Sequence, residues 1–289
     1  MIDPWLDDVR MDITAELPEL SSFFEIYAAE AAFGRRYIAE DISKLNPGST
    51  ILEIGAGSLL LSCQLVKEGF QVTALEPIGD GFSHFEKLRE VILSRARKNG
   101  YVPRLLNIAA EDFNEKNCFN YAFSINVMEH VENFERVILN VGGSLFLGAH
   151  FRFTCPNYLF PYEPHFNIPT FFSKKWTAFI LHRKIFECRY FPDPAGTWNS
   201  INWITVLQVK KIVHSTPWLA CHFDRELLVS TFERVACDIN FANRRSSIIR
   251  RVIRLTVSLK MHRLLQLIPA MCQPIMDCSL QKIAEPETH

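Results

Sequence analysis

Residues 51–57 read ILEIGAG, a short apolar run that passes directly into two glycines. The run predicts a buried strand, and the apolar segment from Leu59 to Lys67 behind it predicts a helix. Glycines at such a junction allow a tight turn and let a ligand approach bare backbone at the positive end of the helix. The segment therefore predicts a ligand-binding turn at the carboxyl end of a strand.

The segments that follow indicate the fold class. A second apolar run, Phe70 to Leu75, ends at Glu76-Pro77, and Glu76 lies 19 residues after Gly57. An acid at this spacing accepts hydrogen bonds from a ribose diol in nucleotide-binding α/β folds. The other predicted elements are a helix over 83–98 and strands over 105–109, 121–127 and 150–155. This alternation predicts a Rossmann-like, three-layer α/β domain with a mostly parallel sheet.

Two cofactors fit a glycine turn followed by an acid at this spacing: a nicotinamide dinucleotide and S-adenosylmethionine (SAM). The dinucleotide fingerprint has a third glycine three residues after the second, where this chain has Leu60. Glu53 stands two residues before Gly55, where a carboxylate suits the cationic amino group of SAM and would sit poorly beside a pyrophosphate. SAM is therefore the predicted cofactor, and an NAD(P)-dependent oxidoreductase is the alternative.

Four segments resemble the class I SAM-dependent methyltransferases, and in particular their small-molecule subgroup. The ILEIGAG segment resembles their motif I, and Glu76-Pro77 resembles their second-strand acid. Residues 110–113, AEDF, are similar to the segment beside adenine, and residues 124–131, SINVMEHV, resemble the fourth-strand motif. The chain departs from the family at Ala109, where an acid often accepts a hydrogen bond from the adenine amino group. A methyltransferase-like binding domain without turnover therefore stays as a third possibility.

The motifs together define the residues expected at the cofactor. These are Glu53, Gly55, Ala56, Gly57, Glu76, Pro77, Ala110, Glu111, Asn126 and Val127. No metal is expected. The predicted reaction is O- or N-methylation of a small-molecule, lipid or glycan acceptor.

A stiff aromatic loop over residues 155–169, with four prolines, follows the fifth predicted strand. Methyl transfer from a sulfonium is an in-line displacement that needs proximity and often one base for the proton of the acceptor. His165 suits that task because its unperturbed pKa is near 6.5, and Glu163 is expected to orient it or to bind the acceptor. A purely structural loop is the alternative. The residues expected to bind the acceptor are Glu129, His130, Tyr158 and Tyr162.

Composition limits the other possibilities. The chain has 289 residues, of which 48% are hydrophobic, and a net charge of −1, so a full core is available and nothing indicates nucleic-acid binding. The eight cysteines are scattered, without zinc spacing, and are expected to be reduced thiols. Neither a signal peptide nor an apolar run long enough to span a bilayer is recognised, so a cytoplasmic location is expected.

Three parts are expected: a helical N-terminal cap (1–45), the SAM-binding core (46–169), and a mostly helical remainder (170–289) that completes the sheet and builds the acceptor side. The remainder includes a basic amphipathic helix predicted over 247–268. Between Asp238 and Asp277 the chain has seven arginines and lysines and no acid. This helix is expected to pack on the domain, to touch an anionic membrane peripherally, or to form a dimer interface.

Overall fold

The computed structural model describes residues 2–77, 83–171, 173–191, 193–237, 241–242 and 247–286. The chain divides into two compact units. The first unit comprises residues 1–127, 136–152 and 281–289, and the second comprises residues 128–135 and 153–280. The aromatic loop over 155–169, which the sequence assigns to the SAM-binding core, lies in the second unit.

Three helices open the first unit: α1 (Asp3–Glu16), α2 (Ser21–Tyr37) and α3 (Ala39–Ser43). The sequence predicts a single helix over about residues 20–42, but the structure interrupts it at Ile38, where the backbone departs from helical angles (φ −90°, ψ 3°). Helix α1 is not predicted from the sequence. It is held in place by a buried face and by the Trp5 indole N–H, which donates a 3.0 Å hydrogen bond to the Leu60 carbonyl.

The first unit then alternates strands and helices. These elements are β1 (Thr50–Ile54), α4 (Leu60–Lys67), β2 (Gln71–Leu75), α5 (Ser83–Asn99), β3 (Arg104–Leu106), β4 (Phe119–Ile125), most of α6 (Phe134–Ser144) and the first part of β5 (Leu145–Pro156). Strand β1 pairs in parallel with β2 and β4, and β2 pairs in parallel with β3. The carboxyl ends of these strands therefore meet at one edge of the sheet, where α/β folds bind their ligands.

The second unit contains an antiparallel pair of short strands, β6 (Tyr162–Glu163) and β7 (Ile168–Pro169). Its remaining elements are α7 (Lys174–Ile180), α8 (His182–Phe186), α9 (Pro194–Ser200), α10 (Val206–His214), β8 (Leu219–Asp224), α11 (Glu226–Cys237), α12 (Ser247–Ser258) and most of β9 (Ile275–Lys282). The seven-stranded sheet has the order β3-β2-β1-β4-β5-β9-β8. The predicted Rossmann-like α/β fold, with a mostly parallel sheet and flanking helices, is confirmed.

Two predicted elements differ from the structure. Strand β5 begins at Leu145, five residues before its predicted start. The basic helix predicted over 247–268 ends at Ser258, because Lys260 adopts a left-handed conformation (φ 57°) and residues 261–267 form a 3-10 helix. Among the described ranges, no helix is both long and apolar enough to cross a membrane.

Candidate active site

The glycine turn between β1 and α4 contains two glycines with left-handed backbones and different surroundings. Gly55 (φ 72°) has no room for a side chain, because a Cβ there would lie 2.6 Å from Cγ1 of Val127. Gly57 (φ 52°) has room for a Cβ, which would make an ordinary contact with Cζ of Phe85 at 3.7 Å. Gly55 therefore lets the chain after β4 approach the turn, and Gly57 is partly exposed.

Glu76, at the end of β2, lies against this turn. Its Oε2 accepts a 2.8 Å hydrogen bond from the backbone N–H of Gly57. Burial raises the pKa of this carboxyl, and both the Gly57 hydrogen bond and the charge of Arg89 act in the opposite direction. The structure thus brings the predicted ribose acceptor and the glycine turn together.

Glu53 is a buried carboxyl on β1. The hydroxyl of Ser62, on α4, donates a hydrogen bond to its Oε2. Burial raises the pKa of Glu53 to about 8; the Ser62 hydrogen bond lowers it, and the charge of Glu76 raises it further. A cationic group that reached this carboxyl would favour its ionised form. Ser62 contacts a predicted site residue and was not singled out from the sequence, because a serine in an apolar helix gives no indication of its hydrogen-bond partner.

The other predicted cofactor residues lie at the same edge of the sheet or just beyond it. Ala56 is buried in the turn, and Pro77 is exposed after β2. Asn126 ends β4 in a left-handed conformation (φ 54°), which places Val127 against Gly55. After β3, Ala110 is buried at the start of a short 3-10 helix, and the carbonyl of Glu111 accepts a 2.7 Å hydrogen bond from the Asn140 amide.

The predicted catalytic pair lies in the second unit, where Glu163 ends β6 and His165 lies in the loop that joins β6 to β7. Oε1 of Glu163 lies 2.6 Å from Nδ1 of His165, and the Glu163 side chain is completely buried. Its oxygens also accept hydrogen bonds from the backbone N–H groups of His165 (3.0 Å) and Phe166 (2.6 Å) and from the Tyr158 hydroxyl (3.3 Å). With both oxygens engaged, Glu163 is arranged to orient His165 and not to bind another group.

This contact determines which nitrogen of His165 is available. Because Glu163 accepts at Nδ1, the neutral ring carries its proton there and keeps its lone pair on Nε2. Burial lowers the pKa of His165, but the hydrogen bond and the charge of Glu163, together with the charge of Glu129, outweigh it, so the net pKa is raised. The pair therefore has the arrangement of a general base with an orienting carboxylate.

Glu129 and His130 lie beside this pair. Glu129 is buried, and its Oε2 has no hydrogen-bond partner. Burial raises the pKa of Glu129 to about 7, with the charge of His165 lowering it and that of Glu163 raising it. Burial, followed by the charge of His165, lowers the pKa of His130 to about 4. A buried carboxylate oxygen without a partner is costly, so it indicates a position where a ligand atom completes the network.

Glu129, His130 and His165 each offer a ligand atom, and these atoms lie within 4.8 Å of one another. Two imidazoles and one carboxylate form a donor set that divalent transition metals accept. The structure therefore identifies the place where a metal could be held, whereas the sequence analysis expects none, and that expectation remains a prediction.

A pocket of about 520 Å³ opens beside His130. Its lining includes Lys174, Ser200, Asn202 and Trp203. The Asn202 amide donates to the carbonyls of Met128 (2.8 Å) and Val131 (2.7 Å), which holds the Glu129–His130 segment in place. Trp203 has a buried indole N–H without a partner. Asn202 and Trp203 were not predicted from the sequence, because Asn202 contacts residues about seventy positions away and Trp203 stacks on Tyr158 of a different segment.

The two tyrosines predicted to bind the acceptor have different environments. Tyr158 is buried, stacks on Trp203 with ring centroids 5.1 Å apart, and donates to Glu163. Tyr162 donates its hydroxyl to Asn167 Oδ1 at 2.8 Å across the β6–β7 loop. Tyr158 therefore contacts both the catalytic pair and the pocket lining, whereas the hydroxyl of Tyr162 is engaged at the loop surface.

No protein-family model matches the chain. The uncharacterized protein Rv1509 of Mycobacterium tuberculosis strain H37Rv is 43% identical over 281 residues, which cover 97% of this chain and 95% of that protein. The ubiquinone biosynthesis O-methyltransferase of Rickettsia felis is 30% identical over 105 residues, which cover 36% of this chain and 38% of that enzyme.

Two solved structures are similar to this chain, each with a TM-score of 0.50. One is phosphoethanolamine N-methyltransferase 2 of Haemonchus contortus with S-adenosylhomocysteine (SAH) and phosphomonomethylethanolamine, at 14% identity; the match covers 94% of this chain and 58% of that one. The other is geranyl diphosphate C-methyltransferase of Streptomyces coelicolor A3(2) with Mg²⁺, geranyl diphosphate and SAH, at 12% identity, covering 95% and 83%. The predicted methyltransferase fold is confirmed, and the SAH in both structures is in line with SAM as the predicted cofactor. The chain belongs to the protein family that includes Rv1509, and its fold is that of the class I SAM-dependent methyltransferases.

Proposed function

We propose that this protein uses SAM to methylate a hydroxyl oxygen of a small molecule, either free or attached to a lipid or glycan. The observation that carries the proposal is the pair formed by the buried Glu163 and the partly exposed His165, joined at 2.6 Å. A hydroxyl acceptor must lose its proton as the methyl group arrives, so it gains most from such a base. An amine acceptor attacks as the neutral base and needs this pair less, so N-methylation is the alternative.

In the proposed step, the acceptor oxygen attacks the methyl carbon of the sulfonium as the carbon–sulfur bond breaks, and SAH leaves with the bonding electrons. The hydroxyl proton passes to Nε2 of His165, and Glu163 stabilises the resulting imidazolium. Glu129 is proposed to accept a hydrogen bond from the acceptor through its unpartnered Oε2. His130, Tyr158 and Tyr162 are proposed to line the acceptor side.

On the donor side, each proposed contact follows from the chemistry of one residue. Gly57 leaves the backbone open to the ligand, Glu76 accepts from the ribose hydroxyls, and Glu53 receives the ammonium group of SAM. Gly55, Ala56, Pro77, Ala110, Glu111, Asn126 and Val127 are proposed to complete the site. We further propose a cytoplasmic location, supported by eight cysteines that are all free thiols.

The test measures transfer of a labelled methyl group from SAM to a catechol, as a hydroxyl probe, and to phosphoethanolamine, as an amine probe. With a catechol, His165→Gln should lower turnover about 10²–10⁴-fold, the usual contribution of a general base, and leave SAH affinity unchanged. His182→Gln is the matched control, because it is the same substitution at an exposed imidazole on α8, and its turnover should stay within about twofold of wild type.

Four outcomes would contradict the proposal. Unchanged turnover in His165→Gln would remove the base. Methylation of phosphoethanolamine without any catechol product would favour the amine alternative. Loss of turnover in EDTA, restored by a divalent cation, would replace the base with a metal held by Glu129, His130 and His165. Normal SAH binding without transfer to either probe would favour a binding domain.

A further inference from the structure

The C-terminal surface, which we define as residues 247–271, carries large apolar side chains that the second unit does not cover. Exposed apolar residues here are Ile248, Val252, Leu255, Leu259, Met261, Leu264, Leu267 and Met271. An apolar patch of this extent on a folded protein marks an interaction site more often than chance exposure. The sequence leaves internal packing, membrane contact and a dimer interface open for this segment, and the structure shows internal packing for only part of it.

Only part of the segment is packed because helix α12 has two apolar faces. Ile253 and Val257 lie on one face and pack with Val235 of α11. Ile248, Val252, Leu255 and Leu259 follow one another at intervals of four, three and four residues, which places them along a single stripe of the helix. Since Ile253 is buried while Leu255 is 61% exposed, the second stripe is open to solvent.

Every charged side chain within the segment that carries this stripe is basic, and an acid of α11, Glu233, contacts the segment through His262 at 3.0 Å. From residue 247 to residue 276 there is no aspartate or glutamate, and the basic residues are Arg250, Arg251, Arg254, Lys260 and Arg263. An apolar stripe bordered by bases matches the headgroup region of an anionic bilayer, where the apolar side chains enter the acyl boundary and the bases meet phosphate. A second copy of this chain fits less well, because a two-fold interface would bring the same five bases toward each other.

A basic pocket adjoins the end of the C-terminal surface. It has a volume of about 300 Å³, and its lining includes Lys210, His222 and Arg225 together with Ala270 and Met271 of the C-terminal surface. Two cationic side chains and an imidazole around a small cavity suit a phosphate group. The pocket and the apolar stripe therefore indicate the same chemistry, that of an anionic phospholipid.

We propose that the C-terminal surface docks this protein on an anionic lipid bilayer. The open stripe of α12 and the apolar residues of the following 3-10 segment enter the bilayer interface, and the surrounding bases bind lipid phosphate. This proposal rests on exposure and charge in the second unit and does not depend on methyl transfer.

The test is flotation of the full chain with two kinds of vesicle, phosphatidylcholine alone and phosphatidylcholine with phosphatidylglycerol. The protein should float only with the anionic vesicles, and high salt should release it, because salt screens surface charge. Leu255→Glu should weaken binding at least about tenfold, since it removes a leucine from the inserted stripe. Arg251→Gln and Arg254→Gln should each weaken it about fivefold. Leu147→Glu is the matched control, because Leu147 in β5 is 62% exposed, and it should bind like wild type.

Several results would overturn the proposal. These are equal flotation with neutral vesicles, no flotation with anionic ones, or unchanged flotation of Leu255→Glu. Sedimentation equilibrium provides a further test. If the wild-type protein is a dimer and Leu255→Glu is a monomer, the C-terminal surface binds a second copy of this chain and not a bilayer. Each variant is first checked for an unchanged unfolding midpoint, and the two arginine variants carry the test if Leu255→Glu unfolds.

Discussion

We expect binding of the donor to release a proton from Glu53. The carboxyl is buried, and burial raises its pKa to about 8. If the ammonium group of the donor binds beside it, the pKa falls, because an opposite charge at close range favours the ionised form. Binding near neutral pH therefore converts a protonated carboxyl to a carboxylate, and the proton leaves to the buffer.

The size of the effect follows from the pKa. With a pKa of about 8, Glu53 is roughly nine-tenths protonated at pH 7. A shift of about two units or more, the scale for a carboxyl beside a fixed cation, would leave it largely ionised in the complex. Between about half a proton and one proton should then be released per SAH bound at pH 7. The release should fade below about pH 5, where the bound carboxyl also stays protonated.

The assay is isothermal titration calorimetry with SAH in two buffers of different ionisation enthalpy. The difference in apparent enthalpy gives the number of protons exchanged. Glu53→Gln should abolish the buffer dependence, and the matched control Glu90→Gln, at an exposed acid on α5, should keep it. A wild-type enthalpy that is the same in both buffers would refute the assignment of Glu53 to the ammonium group.

Two further predictions concern stability and rate. Gly55→Ala should destabilise the protein more than Gly57→Ala in urea unfolding, because both cost about 1–2 kcal/mol for the left-handed backbone but only the first overlaps Val127. Val127→Ala in the Gly55→Ala background should recover part of the lost stability. Equal losses in the two glycine variants would contradict this prediction. Glu163→Gln should lower the free energy of unfolding by about 1–3 kcal/mol. It should also move the acid limb of the pH profile of turnover to lower pH, because it removes the charge that raises the pKa of His165. A pH profile that does not move would show that Glu163 does not act through His165.

The donor side of the molecule was predictable because its signals are local. The strand, the glycine turn, helix α4 and Glu76 follow one another within a short segment, and each residue type has a backbone or charge reason for its place. Glu163 and His165 were also predictable, since two residues of spacing in a stiff loop bring their side chains together. These parts needed no knowledge of distant contacts.

Strand β9 was not predicted, and its composition explains why. It ends in Lys282, which is completely buried and donates to the side chain of Asn117 and to the carbonyl of Leu145 (3.2 Å). A lysine is expected to be exposed unless its partners are known, and the two partners that bury this one lie more than 130 residues away in the sequence. Gly148 is the reason that the start of β5 was predicted too late. It adopts a left-handed conformation (φ 83°) within a strand that continues on both sides of it. A glycine there predicts a break.

Equilibrium binding of labelled SAM to the wild-type protein and to Glu76→Ala tests the central claim most directly. We predict saturable binding to wild type that NADPH does not displace, because the turn has Leu60 where the dinucleotide fingerprint needs glycine. Glu76→Ala should weaken it about ten- to a hundredfold, the loss expected for charge-assisted hydrogen bonds to the ribose. Binding of NADPH together with no binding of SAM would contradict the assignment of this chain as a SAM-dependent methyltransferase.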